Sequence, residues 1–547
     1  MTLRHRALPF LLLYFLVLLF PGTALHLRES TEARYGEIAR EMVVTGNWLE
    51  PHLNGITHFH KPPLAMWGMA AGMELFGING FGVRFFGIVA AAVALAALHR
   101  TARLFLDEED DAVNALLICA TSLLFLTSSR VVSTDIYLAS FTALAQCFLF
   151  RQMYGERSPW NAPLYGLFLG LGFMVKGPII FLFTLIPFLV AKTFNRVHRQ
   201  VFTWREVAIG TGVFMAVALP WYVAVSIRNP ELPGYFLWVQ TVDRLATDRF
   251  GRGKPFWYFF FIFATTFLPY TLFFARGVAG WKRLDGRIRT LFVYIVAPLV
   301  VFTLAKSKLS AYILPFYGTA SIITAYALAR FETARLRAAT LVILTLTAVA
   351  VGVTGFVYKP AAPLKVQLAL YGVALLLLSV YLWRSYLSSH FVRNTALYAL
   401  CVSATVYAGM THLGPDLKGY REMVAAINRV DPEKKCDVLM YDTFLPSLSF
   451  YRNRLTAMGL VSDRDLRFQR DGSLRDIYLP TDADVERFLT ERREIFVVTD
   501  PARMETFKRN HACSVIPVFV QRKQTAYLCR KDPAALPPRQ PEHTRAR

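Results

Sequence analysis

Charged side chains are scarce in this chain. Asp, Glu, Lys and Arg together supply 18% of its 547 residues, against 54% apolar residues. A soluble domain of this size needs a larger polar skin, so a water-soluble globular protein is excluded. Acidic residues are the scarcer kind: 38 Asp and Glu face 60 Lys and Arg, a formal net charge of +22. Such a surplus ordinarily points to nucleic acid. Here many of the basic residues sit in short loops between apolar runs, where cytoplasmic loops of membrane proteins are basic anyway, so no nucleic-acid partner is expected. Cysteine is sparse too, with six residues. Cys119, Cys147 and Cys401 lie in apolar runs and read as packing residues. Cys513 and Cys529 flank two apolar stretches; if these form a hairpin, the thiols can face each other and form a disulfide in an oxidising compartment. There is no internal repeat, and no inverted-repeat signal of the kind many transporters carry.

What the chain has in quantity is apolar runs of about 18 residues or more, long enough to cross a bilayer as helix. The first, Ala7–Ala24, follows Arg4-His5-Arg6 and reads as an uncleaved anchor with a cytoplasmic N-terminus. Residues 26–79 then form a long outer loop. Further spans are expected near 80–100, 112–129, 135–152, 161–175, 178–192, 206–226, 256–275, 290–305, 309–329, 338–357, 366–383 and 394–412. The fold class is therefore a polytopic α-helical membrane protein with about 13 transmembrane helices. Every loop that this map places inside is basic, from Arg100/Arg103 to Arg384/Arg393, as the positive-inside rule requires.

Three regions follow: a membrane domain over 1–412, an outer α/β domain over 413–532 and a disordered tail over 533–547. The outer domain rests on strand-like Val438–Tyr441, Ile495–Thr499, Val515–Val520 and Thr525–Cys529. Helices are expected over Gly419–Val430 and Val485–Arg493. The map places the N-terminus on the inner side of the membrane and the C-terminal domain on the outer side.

Basic residues also recur on the outer side, where topology does not favour them: Arg34, Lys61, Arg130, Lys176, Arg244, Arg249, Arg252, Lys254, Lys306 and Lys308. Several abut helix ends, where a buried cation is costly without a partner. A polyanionic ligand would supply one; outer carboxylates or anionic head groups are the alternative. The densest polar cluster, Arg28–Arg40, directly follows the first span. Within it Glu32 is a candidate general base, and Arg34 with Tyr35 can hold phosphate or sugar. A surface helix with internal salt bridges accounts for the same pattern. Asp135 is a second carboxylate and the second catalytic candidate, able to cap the helix it begins, to orient a sugar or to bind a cation. Lys61 precedes Pro62-Pro63. Lys176 precedes Gly177-Pro178, which breaks two short apolar runs. Lys306, Lys308 and Tyr312 fall within two turns of one another at an outer helix end. Each lysine alone can snorkel; three such sites on one face point together to a phosphate at the membrane surface.

These segments, in this order, resemble the GT-C membrane glycosyltransferases. Within them the chain most resembles the bacterial lipid A 4-amino-4-deoxy-L-arabinose transferases, relatives of the protein O-mannosyltransferases. The stretches that carry the resemblance are 32–42, Gly46-Asn-Trp-Leu-Glu-Pro51, Lys61-Pro-Pro63, Asp135, Lys176-Gly177, Leu219-Pro-Trp221, Pro255-Phe-Trp-Tyr258 and Ala305–Pro315. The resemblance implies a sugar donor on undecaprenyl phosphate, aminoarabinose-like or other. It implies an acceptor reached from the periplasm, lipid A phosphate foremost, and an inverting displacement without nucleotide sugar. Lys61, Arg34, Arg244, Lys306 or Lys308, and Tyr312 would hold the donor phosphate, while Lys176 and Tyr35 line the same cavity. Protein or envelope-glycan acceptors, or a non-catalytic polyprenyl-phosphate binder or transporter, are the alternatives.

The chain departs from the family pattern in three places. The family's first carboxylate is Thr31 here, leaving Glu32 with Glu29 nearby. Its Glu-Lys-Pro is His60-Lys-Pro, and its Glu-His in the large outer loop is Gln240-Thr241. No cofactor is required by the sequence. A divalent metal is left open, with His58 and His60 as substitute ligands.

Overall fold

Within hydrocarbon, a chain that is not a closed barrel can satisfy its backbone only as helix. The long apolar runs leave no other solution, and they fold accordingly. The computed structural model describes residues 7–19, 26–29, 31–194, 201–236, 238, 253–331, 334–412, 419–461, 474–511 and 513–531. Every one of the expected spans carries helix. Among the described residues, six helices are long and apolar enough to cross a membrane: Gly82–Ala102, Trp204–Arg228, Gly286–Leu304, Ser310–Phe331, Ala334–Val357 and Ala361–Arg384. Others are broken. The run expected over 178–192 divides at Thr184 into Ile179–Phe183 and Leu185–Phe194. The run over 256–275 is Tyr258–Thr266 followed by Thr271–Ala279, bent by 119°. Pro269 lies in that break and offers no amide to continue the helix. The protein is an integral membrane protein.

The described residues form two compact units. One is Met1–Leu25 with Phe59–Leu413; the other is His26–His58 with Gly414–Arg547. In the first, close helix approach depends on absent side chains. A Cβ on Gly166 would lie 2.0 Å from the Gly210 carbonyl oxygen, so helices Asn161–Lys176 and Trp204–Arg228 meet backbone to backbone there. Val207, Ile209 and Met215 on the latter helix stay exposed, as residues that face lipid do.

In the second unit, residues 26–58 group with 414–547 and not with the membrane helices. The reason is hydrogen bonding. The Leu27 amide donates to the Tyr451 hydroxyl at 2.7 Å, and the Asn54 side chain donates to the Thr456 carbonyl at 2.6 Å. A short hairpin, β1 (His52–Leu53) and β2 (Ile56–Thr57), turns through Asn54 and Gly55, both at positive φ. Glu41 accepts the backbone amides of both turn residues. A six-stranded sheet follows from β3 (Asp437–Tyr441), β4 (Ala457–Gly459), β5 (Tyr478–Leu479), β6 (Glu494–Thr499), β7 (Cys513–Gln521) and β8 (Gln524–Lys531), in the order β5-β4-β3-β6-β8-β7. The first four run parallel, and β8 and β7 close the edge antiparallel. Helices cover both faces, so β3 and β6 are apolar almost throughout rather than alternating.

The hairpin of β7 and β8 is present, but not the pairing of its thiols. Cys529 lies opposite Val515 and Cys513 opposite Lys531, so the two cysteines are diagonal neighbours and not directly opposed. The turn that pairs Gln521 with Gln524 sets this register, and the shift between Pro517 and Phe519 brings the two cysteines one residue nearer to alignment.

Candidate functional site

Lys176 owes its position to a helix stop. Gly177 sits at φ +68, a conformation open to glycine and strained for other residues, and its amide closes on the Phe173 carbonyl at 2.7 Å. The helix therefore ends with Lys176 as its last residue. Asp135 begins another helix, Asp135–Tyr154. The two ends meet: Lys176 Nζ lies 2.5 Å from Asp135 Oδ1, with the side chains 8% and 17% exposed. The same ammonium stands 4.9 Å from the centroid of the Tyr312 ring. Three residues spread over 178 positions of sequence are thus one cluster, in which Asp135 acts on the lysine.

Lys176 and Lys61 line a cavity of about 750 Å³ in the first unit. Its polar lining is concentrated at His60, Lys61 and Lys176, and no carboxylate contributes. The remainder is largely apolar, with Phe173, Tyr222, Val223 and Ile227 prominent. The cavity combines a cationic end with an apolar body. Sequence alone marked its lysines. It gave no sign that Tyr222 and Phe236 complete the wall, because an apolar face against lipid and one against a cavity have the same pattern.

Lys308 and Lys306 separate clearly. Lys306 is exposed, whereas Lys308 is 5% exposed. Lys308 Nζ donates to the Ala305 carbonyl, at the C-terminal end of helix Gly286–Leu304, where the helix dipole favours a cation. No carboxylate pairs with it among the described residues. An ammonium carries three N–H groups, so this one is buried with most of its donor capacity unused. Arg244 lies outside the described residues.

The remaining expected residues fall in the second unit. Glu32 is buried, and its Oε2 accepts the Arg28 amide at 3.0 Å, as a carboxylate near a helix N-terminus does. Arg34 and Tyr35 are half-buried on the same helix, Thr31–Thr45. Glu29 accepts the Ser447 amide at 2.9 Å through Oε1. Burial raises its carboxyl to about 7, against the hydrogen bonding from Ser447 and the charge of Arg34. Farther along, Glu37 takes Arg40 in a two-pronged pair at 2.7 and 2.8 Å. Burial pushes both Glu37 and Glu41 upward, and Glu37 raises Glu41 further.

A raised carboxyl makes this unit's stability depend on pH. Between about 4.5 and about 7 the folded Glu29 holds a proton that the unfolded chain has released. Stability then falls as pH rises through that window, by about 3 kcal/mol from this group. Glu29→Gln is expected to flatten that part of the profile. Hydrogen exchange of the second unit at pH 5 and pH 8 checks it; an unchanged slope in the variant would remove Glu29 as its source.

Among the described residues no group of three or more His, Cys, Asp or Glu can hold a metal ion. His58 belongs to the second unit, while His60 lines the cavity of the first beside lysines, which are not ligands when protonated.

With this geometry in place, comparison with known proteins is informative. The profile of the dolichyl-phosphate-mannose-protein mannosyltransferases matches residues 60–223. An undecaprenyl phosphate-alpha-4-amino-4-deoxy-L-arabinose arabinosyl transferase of Pseudomonas fluorescens is 33% identical over 324 residues, 57% of this chain and 58% of the relative. One from Edwardsiella ictaluri is 32% identical over 329 residues, 57% of each. The alignment thus spans less than three fifths of the curated relatives' length. The crystal structure of ArnT from Cupriavidus metallidurans bound to undecaprenyl phosphate superposes with a TM-score of 0.81 at 20% identity, covering 97% of this chain and 99% of that one. Its apo state gives 0.78 at 19% identity, with the same coverage. The chain has the GT-C membrane glycosyltransferase fold with a C-terminal α/β region, and it is similar in sequence to the aminoarabinose transferases.

Proposed function

We propose that this chain is an integral-membrane glycosyltransferase that moves a sugar, aminoarabinose or a close relative, from a polyprenyl-phosphate carrier to an acceptor on the periplasmic side of a bacterial inner membrane. The observation that carries this reading is the cavity that joins Lys61 and Lys176 to a largely apolar body. A phosphate on an isoprenoid chain has that division of charge and grease. The residues matched by the mannosyltransferase profile include Lys61, Phe173, Lys176 and Tyr222 of this lining. By their printed names, both groups of relatives use a lipid-phosphate sugar. The match therefore speaks to the donor. The acceptor is the finer part of the proposal, and lipid A phosphate is the one favoured by similarity to the aminoarabinose transferases.

In the reaction, an acceptor oxygen attacks the anomeric carbon from the face opposite the carrier. The bond from that carbon to the carrier's phosphate oxygen breaks, and the phosphate leaves with the electron pair. Negative charge grows on it as the bond breaks. Lys61, Lys176 and Lys308, with the Tyr312 hydroxyl, stabilise that charge more strongly than the ground state. Asp135 holds Lys176 in place. A phosphate acceptor is already anionic and needs little deprotonation, which accommodates Thr31 where the pattern has a carboxylate. Arg34, Tyr35 and Glu32 remain candidates for the acceptor side, with the N-terminus cytoplasmic and the second unit periplasmic.

Two substitutions test the reading. Lys61→Ala is expected to weaken donor affinity by about ten- to hundredfold. Full affinity in that variant would show that the cavity's cations do not hold the phosphate. Glu32→Gln keeps an oxygen for the Arg28 amide, so it probes chemistry without unfolding the helix start. Turnover is expected to drop if Glu32 is the base, and unchanged turnover removes it from that role. Labelled carrier must be recovered free of sugar, because a transporter would move it intact.

A further inference from the structure

Just past the end of helix Gly286–Leu304, two successive residues are buried with their polar groups underused. Ser307 is 2% exposed, and its Oγ has no hydrogen-bond partner. Lys308 is 5% exposed and donates only to the Ala305 carbonyl. One turn earlier the Thr303 hydroxyl is likewise without a partner.

Several of the chain's other buried hydroxyls bond back to the carbonyl four residues earlier, as in Thr101, Thr121, Ser129, Ser321 and Thr324. Thr142, Thr395 and Ser403 are without a partner among the described residues, but none of them adjoins a charged residue in sequence as Ser307 does. Ser307 lies outside any helix and has no such carbonyl. Its backbone is fixed instead by an antiparallel bridge to Gly253. A buried hydroxyl without a partner is costly, and so is a buried ammonium without an anion. Their being consecutive points to a shared cause: a group with negative charge and several acceptor oxygens.

We propose that Ser307 donates its hydroxyl hydrogen bond to the phosphate group that Lys308 binds, so that the segment from Ala305 to Lys308 is a phosphate subsite. This rests on the lipid-phosphate reading above and adds a residue that no part of it assigns. The backbone bridge to Gly253 holds the hydroxyl in place, which is why a serine in an irregular segment can act as a fixed donor. The phosphate is that of the carrier, a diester before transfer and a monoester after it, or that of the acceptor, and each presents anionic oxygens to a hydroxyl donor.

The test uses the full chain in lipid nanodiscs. Undecaprenyl phosphate and, separately, lipid A are titrated against the native protein and against Ser307→Ala, Ser307→Cys, Ser307→Thr, Lys308→Ala and Lys61→Ala. Ser307→Ala is expected to weaken one of the two ligands by about ten- to hundredfold, the range for a hydrogen bond to a charged group. Ser307→Cys, nearly isosteric and a poor donor, should behave the same way, while Ser307→Thr keeps the hydroxyl and should stay within about threefold. Ligand-free unfolding temperatures should remain level across the serine series. Weakening of the carrier lipid alone assigns the carrier's phosphate; weakening of lipid A alone assigns the acceptor's. If Ser307→Ala and Ser307→Cys bind both ligands as the native protein does while Lys308→Ala does not, the proposal falls and the lipid-phosphate reading stands. If Lys61→Ala and Lys308→Ala also bind normally, both fall.

Discussion

Replacing Lys176 with alanine is expected to slow sugar transfer by about a hundred- to a thousandfold, the range seen when one preorganised electrostatic contact to a developing charge is removed. The geometry argues for an effect of that size. The ammonium is 8% exposed and held at 2.5 Å by Asp135, with the Tyr312 ring at 4.9 Å. The ammonium is therefore oriented before any ligand arrives. Asp135→Asn should cost less, about tenfold, since the positive charge stays and only its placement loosens. The two changes together should cost little more than Lys176→Ala alone, because Asp135 acts through the lysine. Lys176→Arg should not rescue, since a planar guanidinium does not fit a place shaped for a compact ammonium. The measurement is release of polyprenyl phosphate from a labelled sugar donor. Turnover within about threefold of the native protein in Lys176→Ala would show that the cavity lies beside the chemistry and not in it.

The second large effect concerns stability. Arg452 is 1% exposed in the second unit, and its guanidinium meets Asp431 at 2.7 Å, the Cys436 carbonyl at 2.7 Å and Asn428 at 2.9 Å. Burial alone would raise the Asp431 carboxyl, but Arg452 and the amides of Cys436 and Lys435 hold it below its ordinary value. Arg452→Ala strands that carboxylate, and breaking a buried pair from one side costs about 3–5 kcal/mol. The second unit should melt about 10 °C or more below its native midpoint. It should also become open to proteolysis while the membrane helices stay protected. Because the Asp431 carboxyl is depressed in the fold, the stabilisation from this pair is complete above the ordinary aspartate pKa and fades as pH falls through the lower folded value. Equal melting of the variant and the native protein would mean that the pair contributes nothing net.

Much of the membrane part was legible because hydropathy and positive charge each act locally. Runs of apolar residues had to be helices, and the break at Lys176-Gly177-Pro178 announced a lysine at a helix end. What could not be read is what lies across the sequence from it. Nothing near Lys176 names Asp135 as its partner, 41 positions away. Nothing near Glu29 names Ser447, 418 away. In the second unit the long strands β3, β6, β7 and β8 stood out as apolar runs. The short β4 and β5 did not, since two or three residues show no period, and so the parallel half of the sheet was hidden. The helix Pro501–Asn510 was missed because its face to the core is chiefly Met504 and Phe507, too little for a periodic signal. Lys308 was one of two candidates until burial distinguished it from Lys306.

The assignment of His26–His58 to the unit completed by Gly414–Arg547 also has a consequence for the order in which the protein is made. The ribosome delivers the first piece of that unit early, then threads the rest of the membrane helices before the remainder emerges. Throughout that interval Asn54 lacks Thr456 and Ser449, and Leu27 lacks the Tyr451 hydroxyl. The helix that carries Glu37, Arg40 and Glu41 must wait outside the membrane with a face meant for burial. A chain stalled or cut before residue 414 would present that face permanently. For the same reason, residues 414–547 produced by themselves should fold poorly, and a fusion that supplies residues 26–58 should restore them.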